Sequence, residues 1–169
     1  TDSIGCTDFM AQSYYAASNM PMSVSALKGC IGDTISFNSG GLNFYSYLWD
    51  FGDGNVSSAA NPVYVYPDSG VYQVSLTVTD SSGCTNTWTM PYLIRIYKPV
   101  AGFTYVVSPN GCFAPSIQFT NTSTGASAYL WDFGNGITST QLNPNQIFNT
   151  PGLHSVTLIA SNEGCQNSY

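Results

Sequence analysis

The chain has 169 residues, of which 43% are hydrophobic and 14% aromatic but only 7% charged, and its net charge is −6. The apolar content is ample for packed cores and excludes a disordered segment, while the three basic residues Lys28, Arg95 and Lys98 are too few to bind nucleic acid or an anionic membrane electrostatically. A charged fraction far below the roughly 25% of an average domain leaves the surface to Ser, Thr, Asn, Gln, Gly and Tyr, as in secreted proteins rather than cytosolic enzymes.

The first residue is Thr, and no basic stretch followed by an apolar run opens the chain, so it reads as an excerpt or a processed product with no visible signal peptide. No run approaches the ~18 apolar residues of a spanning helix. Residues 1–18 contain Gly5-Cys6 and two adjacent tyrosines, Tyr14 and Tyr15. A junction follows near Asn19-Met20-Pro21. Cys30 then precedes Thr34-Ile35-Ser36-Phe37-Asn38, whose apolar–polar alternation predicts a half-buried strand. Next come Tyr47-Leu48-Trp49-Asp50-Phe51-Gly52-Asp53-Gly54, a second strand running into a turn, and Asn61-Pro62. Residues 71–79 give the longest alternating strand, Ser82-Gly83-Cys84 follows it, and Leu93-Ile94-Arg95-Ile96-Tyr97 is a weaker strand. A second proline junction stands at Lys98-Pro99.

From there the pattern starts again. Ser116-Ile117-Gln118-Phe119-Thr120, Tyr129-Leu130-Trp131-Asp132-Phe133-Gly134-Asn135-Gly136, Asn143-Pro144 and the segment 152–158 restate the first set in the same order and at one constant offset, the step from Trp49 to Trp131. Short strands between Gly, Asn, Asp, Ser and Pro clusters, about seven to a repeat, predict an all-β, two-sheet sandwich repeated in tandem. The expected division is 1–18 as the last strand of a preceding module, 19–98 as one module, and 99–169 as a module lacking its last strand.

The cysteines follow the same phase. The interval from Cys30 to Cys84 and the interval from Cys112 to Cys165 differ by a single position, so the spacing pairs Cys30 with Cys84 and Cys112 with Cys165, one disulfide per module. Each would close a loop worth ~4 kcal/mol and would imply an oxidising compartment. Metal ligation is the rival reading, but there is no CxxC pair and a single histidine. Cys6 is left as the second cysteine of a preceding module, or a free thiol.

Trp49 through Gly54, then Asn61-Pro62, Tyr66 and Gly70-Val71-Tyr72-Gln73-Val74, resemble the PKD domain pattern, and two such units cover nearly the whole chain. The second unit departs from it with Asn135 and with Leu153-His154. The resemblance implies an immunoglobulin-like sandwich. The low-charge variety with one disulfide is similar to modules strung through giant surface proteins of Gram-negative bacteria, such as gliding-motility adhesins. That resemblance implies a non-catalytic, extracellular stalk and multivalent adhesive surface. Its partners would be neighbouring modules, surface glycans, or other surface or secretion proteins. The alternative is a pair of spacer or substrate-binding modules attached to a secreted protease or polysaccharide-degrading enzyme.

The candidate sites divide accordingly. Trp49, Asp50, Phe51 and Gly52, with Trp131, Asp132, Phe133 and Gly134, are expected to form core and turn, the tryptophans beside the disulfides. Calcium at Asp50 and Asp53 is disfavoured because the second loop has lost a carboxylate. Surface contact is assigned to Tyr14, Tyr15, Tyr45, Tyr105 and Tyr129, with Phe44 as a further exposed aromatic. His154 stands alone without a triad, and no phosphate loop is present, so no catalytic site, metal or cofactor is expected. Asn55-Val56-Ser57 and Asn121-Thr122-Ser123 fit a glycosylation sequon, and Asp2-Ser3-Ile4 and Asp33-Thr34-Ile35 fit a short bacterial O-glycosylation motif.

Overall fold

Alternation in the sequence becomes alternation in burial. In Ile35–Asn38 the two apolar side chains are buried and the two polar ones exposed, and in Ser75–Thr79 Leu76 and Val78 are buried between partly exposed Ser and Thr. A computed structural model describes residues 22–41, 43–108, 115–150 and 152–169. Among these residues every regular element is a short strand and none is a helix. The chain divides into two units, residues 1–96 and 97–169. The segment 1–18, assigned above to a preceding module, lies outside the described residues.

In the first unit, β1 (Ser23–Val24), β3 (Ile35–Asn38) and β6 (Val63–Tyr64) form one three-stranded sheet in the order β1-β3-β6. Facing it, β4 (Ser46–Asp50), β5 (Val56–Ser57), β8 (Ser75–Thr79) and β9 (Thr85–Thr89) pair in the order β5-β4-β8-β9. A further short sheet joins β2 (Lys28–Cys30), β10 (Ile94–Tyr97) and β7 (Gly70–Tyr72), in the order β2-β10-β7. Because β7 leads into β8 and β9 into β10, with β7–β10 and β8–β9 both antiparallel, residues 70–97 make one long hairpin with an irregularity near Gln73 and Val74. The side chain of Gln73 bridges that irregularity by donating to the Met90 carbonyl.

The second unit repeats this plan with β11 (Phe103–Val107), β12 (Ser116–Asn121) and β15 (Asn145–Ile147) in one sheet. The other holds β13 (Ala128–Asp132), β14 (Thr138–Ser139), β16 (Thr157–Asn162) and β17 (Cys165–Ser168), ordered β14-β13-β16-β17. The register repeats too: Trp49 faces Leu76 and Trp131 faces Leu158, matching positions of the two repeats. Each unit has its own core, around Phe37, Trp49, Phe51 and Leu76 in the first and around Phe119, Trp131, Phe133 and Leu158 in the second.

Candidate functional site

Trp49 and Trp131 are wholly buried. Each packs tilted against a phenylalanine of the facing sheet, Phe37 and Phe119, with centroids 5.4 Å apart in both cases. Burying an indole N–H demands a partner. Trp49 donates to the Ala60 carbonyl at 3.4 Å and Trp131 to the Gln141 carbonyl at 2.9 Å. Neither ring is available for stacking on a ligand.

The acidic loop that follows is built for a turn. Asp50 Oδ1 accepts from Gly52 N at 2.8 Å, and Asp132 Oδ1 accepts from Gly134 N at 2.8 Å. Asp53 takes Asn55 N at 3.0 Å, and Asn135 takes Ile137 N at 3.1 Å. The loss of a carboxylate in the second unit therefore leaves the turn intact, because only an acceptor oxygen is required. Gly52 has φ +82 and Gly134 φ +70, and a Cβ at either would collide with the carbonyl of Gln73 or Ser155. Only glycine fits both demands.

Asp53 has one further partner. Tyr64 donates its hydroxyl to Asp53 Oδ2 at 2.7 Å, and its ring stacks on Phe51 with centroids 4.0 Å apart. Burial alone would raise the Asp53 pKa, but the Tyr64 hydroxyl and the Asn55 amide outweigh it, and the carboxyl is held below its usual value. Burial and then the Asp53 carboxylate push Tyr64 up to about 12. Tyr66 continues the stack, edge-on to Tyr64 and face-to-face with Tyr72 at 4.2 Å, while its hydroxyl donates to the Phe51 carbonyl at 3.0 Å. The corresponding residues of the second unit, Gln146, Phe148 and His154, provide one ring pair, Phe148–His154, at 4.3 Å. His154 Nε2 lies 2.9 Å from the Thr150 carbonyl, with no catalytic partner at that position.

Asn61-Pro62 and Asn143-Pro144 have a role that the strand pattern did not reveal. Asn61 Oδ1 accepts from Ser39 N at 3.0 Å and Asn143 Oδ1 from Asn121 N at 2.8 Å, while the following proline carbonyls accept from Phe37 N and Phe119 N. The pair ties down the end of β3 or β12. Its recurrence at the same place in both repeats was the available signal.

The aromatics assigned to the surface do not all reach it. Tyr45 is 80% exposed and Tyr105 61% exposed. Tyr129 is only partly exposed: it packs against the second core and donates to the Ala126 carbonyl, because on β13 it shares the inward face of Trp131, the next-but-one residue. Phe44 likewise packs against Tyr47 and Trp88. Tyr92, at 63%, is an exposed ring that sequence reasoning passed over. Tyr14 and Tyr15 lie outside the described residues. Asn55 of the first sequon is exposed, whereas Asn121 spends its side-chain oxygen on Ser123 N. Asp33 Oδ2 accepts from Cys30 N at 2.7 Å.

Cys30, Cys84 and Cys165 are disulfide-bonded. The expected pairing of Cys30 with Cys84 does not stand. Gly29 lies against Ile96, at one end of the long 70–97 hairpin, whereas Cys84 closes the turn at the other end, where its carbonyl accepts from Asp80 N. β9, the bends at Pro91 and Tyr92 and β10 lie between those ends, and a disulfide requires Cα atoms within ~7 Å. Matching sequence intervals reflected the repeat, not a bond. Cys6 and Cys112 lie outside the described residues. Among the described residues no three His, Cys, Asp or Glu side chains gather as a metal-ligating group.

The PKD domain pattern matches residues 24–94 and again 98–169. The chain belongs to the PKD domain family. Stretches of 45–72 of its residues are similar to segments of much longer proteins. Collagenase ColA of Bacillus cereus is 47% identical over 60 residues, 32% of this chain and 6% of that protein. A microbial collagenase of Vibrio alginolyticus is 43% identical over 72 residues, 40% of this chain and 9% of the relative. Pre-pro-metalloprotease PrtV of Vibrio cholerae is 51% identical over 45 residues, 27% of this chain and 5% of that protein. The matched segments thus span less than a tenth of the length of these relatives. The solved PKD1 domain of PrtV is 30% identical, with a TM-score of 0.37, over 44% of this chain and 90% of that domain.

Proposed function

We propose that these PKD modules are a non-catalytic spacer and substrate-holding segment of a secreted protease or polysaccharide-degrading enzyme, working outside the cell. The observation that supports this most is the 43–51% identity to segments of proteins named collagenase or metalloprotease. The module's own chemistry agrees with it. The Asp and Asn side chains of the repeated motif are spent on backbone turns, and the tryptophans are sealed in the cores. Contact with a polymer falls instead to exposed rings such as Tyr45 and Tyr92, each a flat apolar face with a hydroxyl.

Co-sedimentation with insoluble collagen, chitin and cellulose tests the reading. The expected result is saturable retention on one of these polymers, weakened severalfold by Tyr45→Ala together with Tyr92→Ala, with no soluble fragments released. Absence of retention on all three, or hydrolysis by the chain itself, would overturn it.

The tandem repeat, with its weakly charged surface, also suits a second reading, the stalk of a Gram-negative surface adhesin that sums weak contacts by multivalency. The flanking sequence separates the two. A hydrolase domain beside the modules supports the first, and thousands of residues of further repeats support the second.

A further inference from the structure

The turn between β13 and β14 carries a chemistry that its counterpart in the first module does not. It reads Asn135-Gly136, where the first module has Asp53-Gly54. An asparagine before a glycine is open to attack by the next backbone nitrogen on its side-chain amide carbon, because glycine puts no Cβ in the way. Among the described asparagines Asn135 alone precedes a glycine, whereas Asn61 and Asn143 precede prolines, which have no N–H to give up.

The local geometry keeps that route open. Asn135, Gly136 and Ile137 are all exposed, so water reaches them. Gly136 has φ +83, and even an added Cβ there would meet nothing within 4 Å, which leaves its peptide room to turn. Ile137 N donates to Asn135 Oδ1 at 3.1 Å. That bond folds the side chain back along the Asn135–Gly136 peptide, and the same donor would stabilise the oxyanion that forms on Oδ1 during attack. The first module protects its counterpart. Asp53 is held at both oxygens, by Asn55 N and by the Tyr64 hydroxyl, and its lowered pKa keeps it a carboxylate, which resists a nucleophile. In the second module Gln146 replaces Tyr64, and its Nε2 donates to the Ile147 carbonyl.

We propose that Asn135-Gly136 is a self-modifying site in the folded protein. Gly136 N bonds to Asn135 Cγ, the Cγ–Nδ2 bond breaks, and the amide nitrogen leaves as ammonia with the proton that Gly136 N gives up. Water then opens the cyclic imide at either carbonyl, leaving aspartate or isoaspartate at position 135. The aspartate product carries the carboxylate of the first module and keeps the turn, as Asp53 does with Asn55 N. The isoaspartate product routes the backbone through an extra methylene and withdraws the acceptor from Ile137 N, so the turn loosens.

Incubating the intact chain at mildly alkaline pH, then digesting it for mass spectrometry, tests the proposal. A synthetic peptide of residues 131–140 serves as the unfolded reference. Conversion of amide to acid at Asn135 is expected at a rate within about tenfold of the peptide's, and faster than at any other described asparagine. Asn110-Gly111 lies outside the described residues and is mapped as a separate fragment. Gly136→Ala is expected to slow the conversion at least about tenfold. The purified isoaspartate form is expected to melt below the unconverted chain, and Asn135→Asp to melt with it. A folded chain that stays unconverted while the peptide reacts fully would overturn the site, because the turn would then lock the asparagine. Conversion untouched by Gly136→Ala would overturn it as well.

Discussion

Gly52 and Gly54 share a left-handed backbone but not a neighbourhood, since a Cβ at Gly54 meets nothing within 4 Å and one at Gly52 strikes Gln73. Gly54→Ala is therefore expected to cost about 1 kcal/mol, the conformational penalty alone. Gly52→Ala is expected to cost more than about 2 kcal/mol, as strain and overlap add. Urea denaturation of the two variants measures the difference. Tyr64 and Asp53 give a second test at this scale. Folding raises the pKa of Tyr64, so its contribution is complete below the ordinary tyrosine value near 10 and is lost as pH climbs through about 12. Folding lowers that of Asp53, so its contribution holds above the ordinary aspartate value near 3.8 and fades as pH falls through the lower folded value. The first module's melting temperature is expected to fall above about pH 10, and Tyr64→Phe is expected to flatten that alkaline slope.

The strands were legible in the sequence where one face is buried, because a period of two then has a physical cause; residues 35–38 and 75–79 are of this kind. The cystine pairing was not legible, since a repeat forces matching cysteine intervals whether or not the sulfurs meet. The exposure of the aromatics was legible in part. Tyr129 shares the inward face of Trp131 on β13, a signal its own alternation did carry, whereas Phe44 lies before β4 and is covered by Tyr47 and Trp88. Peptide mapping without reduction tests the separation: Cys30 and Cys84 are expected in separate cross-linked peptides, and a Cys30–Cys84 peptide would contradict the long hairpin that holds them apart. At the turn motif the side chains act as acceptor oxygens, for which Asp53 and Asn135 serve equally, and that emerges only from the hydrogen bonds.

Across the molecule, one plan is executed twice with unequal finish. The first module stacks Tyr64, Tyr66 and Tyr72 in series, whereas the second sets Gln146, Phe148 and His154 at the equivalent positions, with one ring pair among them, Phe148–His154. Aromatic pairs of this kind add ~0.5–1.5 kcal/mol each beyond their burial, so the first module is expected to be the more stable. The repeat matters for function because a module with its own core can be duplicated as a spacer without disturbing its neighbour. The central claim is that each repeat is a folding unit organised on its tryptophan. Calorimetry of the chain carrying Trp49→Ala or Trp131→Ala, each expected to cost its own module about 3–5 kcal/mol, tests it most directly. Two transitions are expected, with each substitution lowering only the one that belongs to its module. A single transition lowered equally by both substitutions would contradict it.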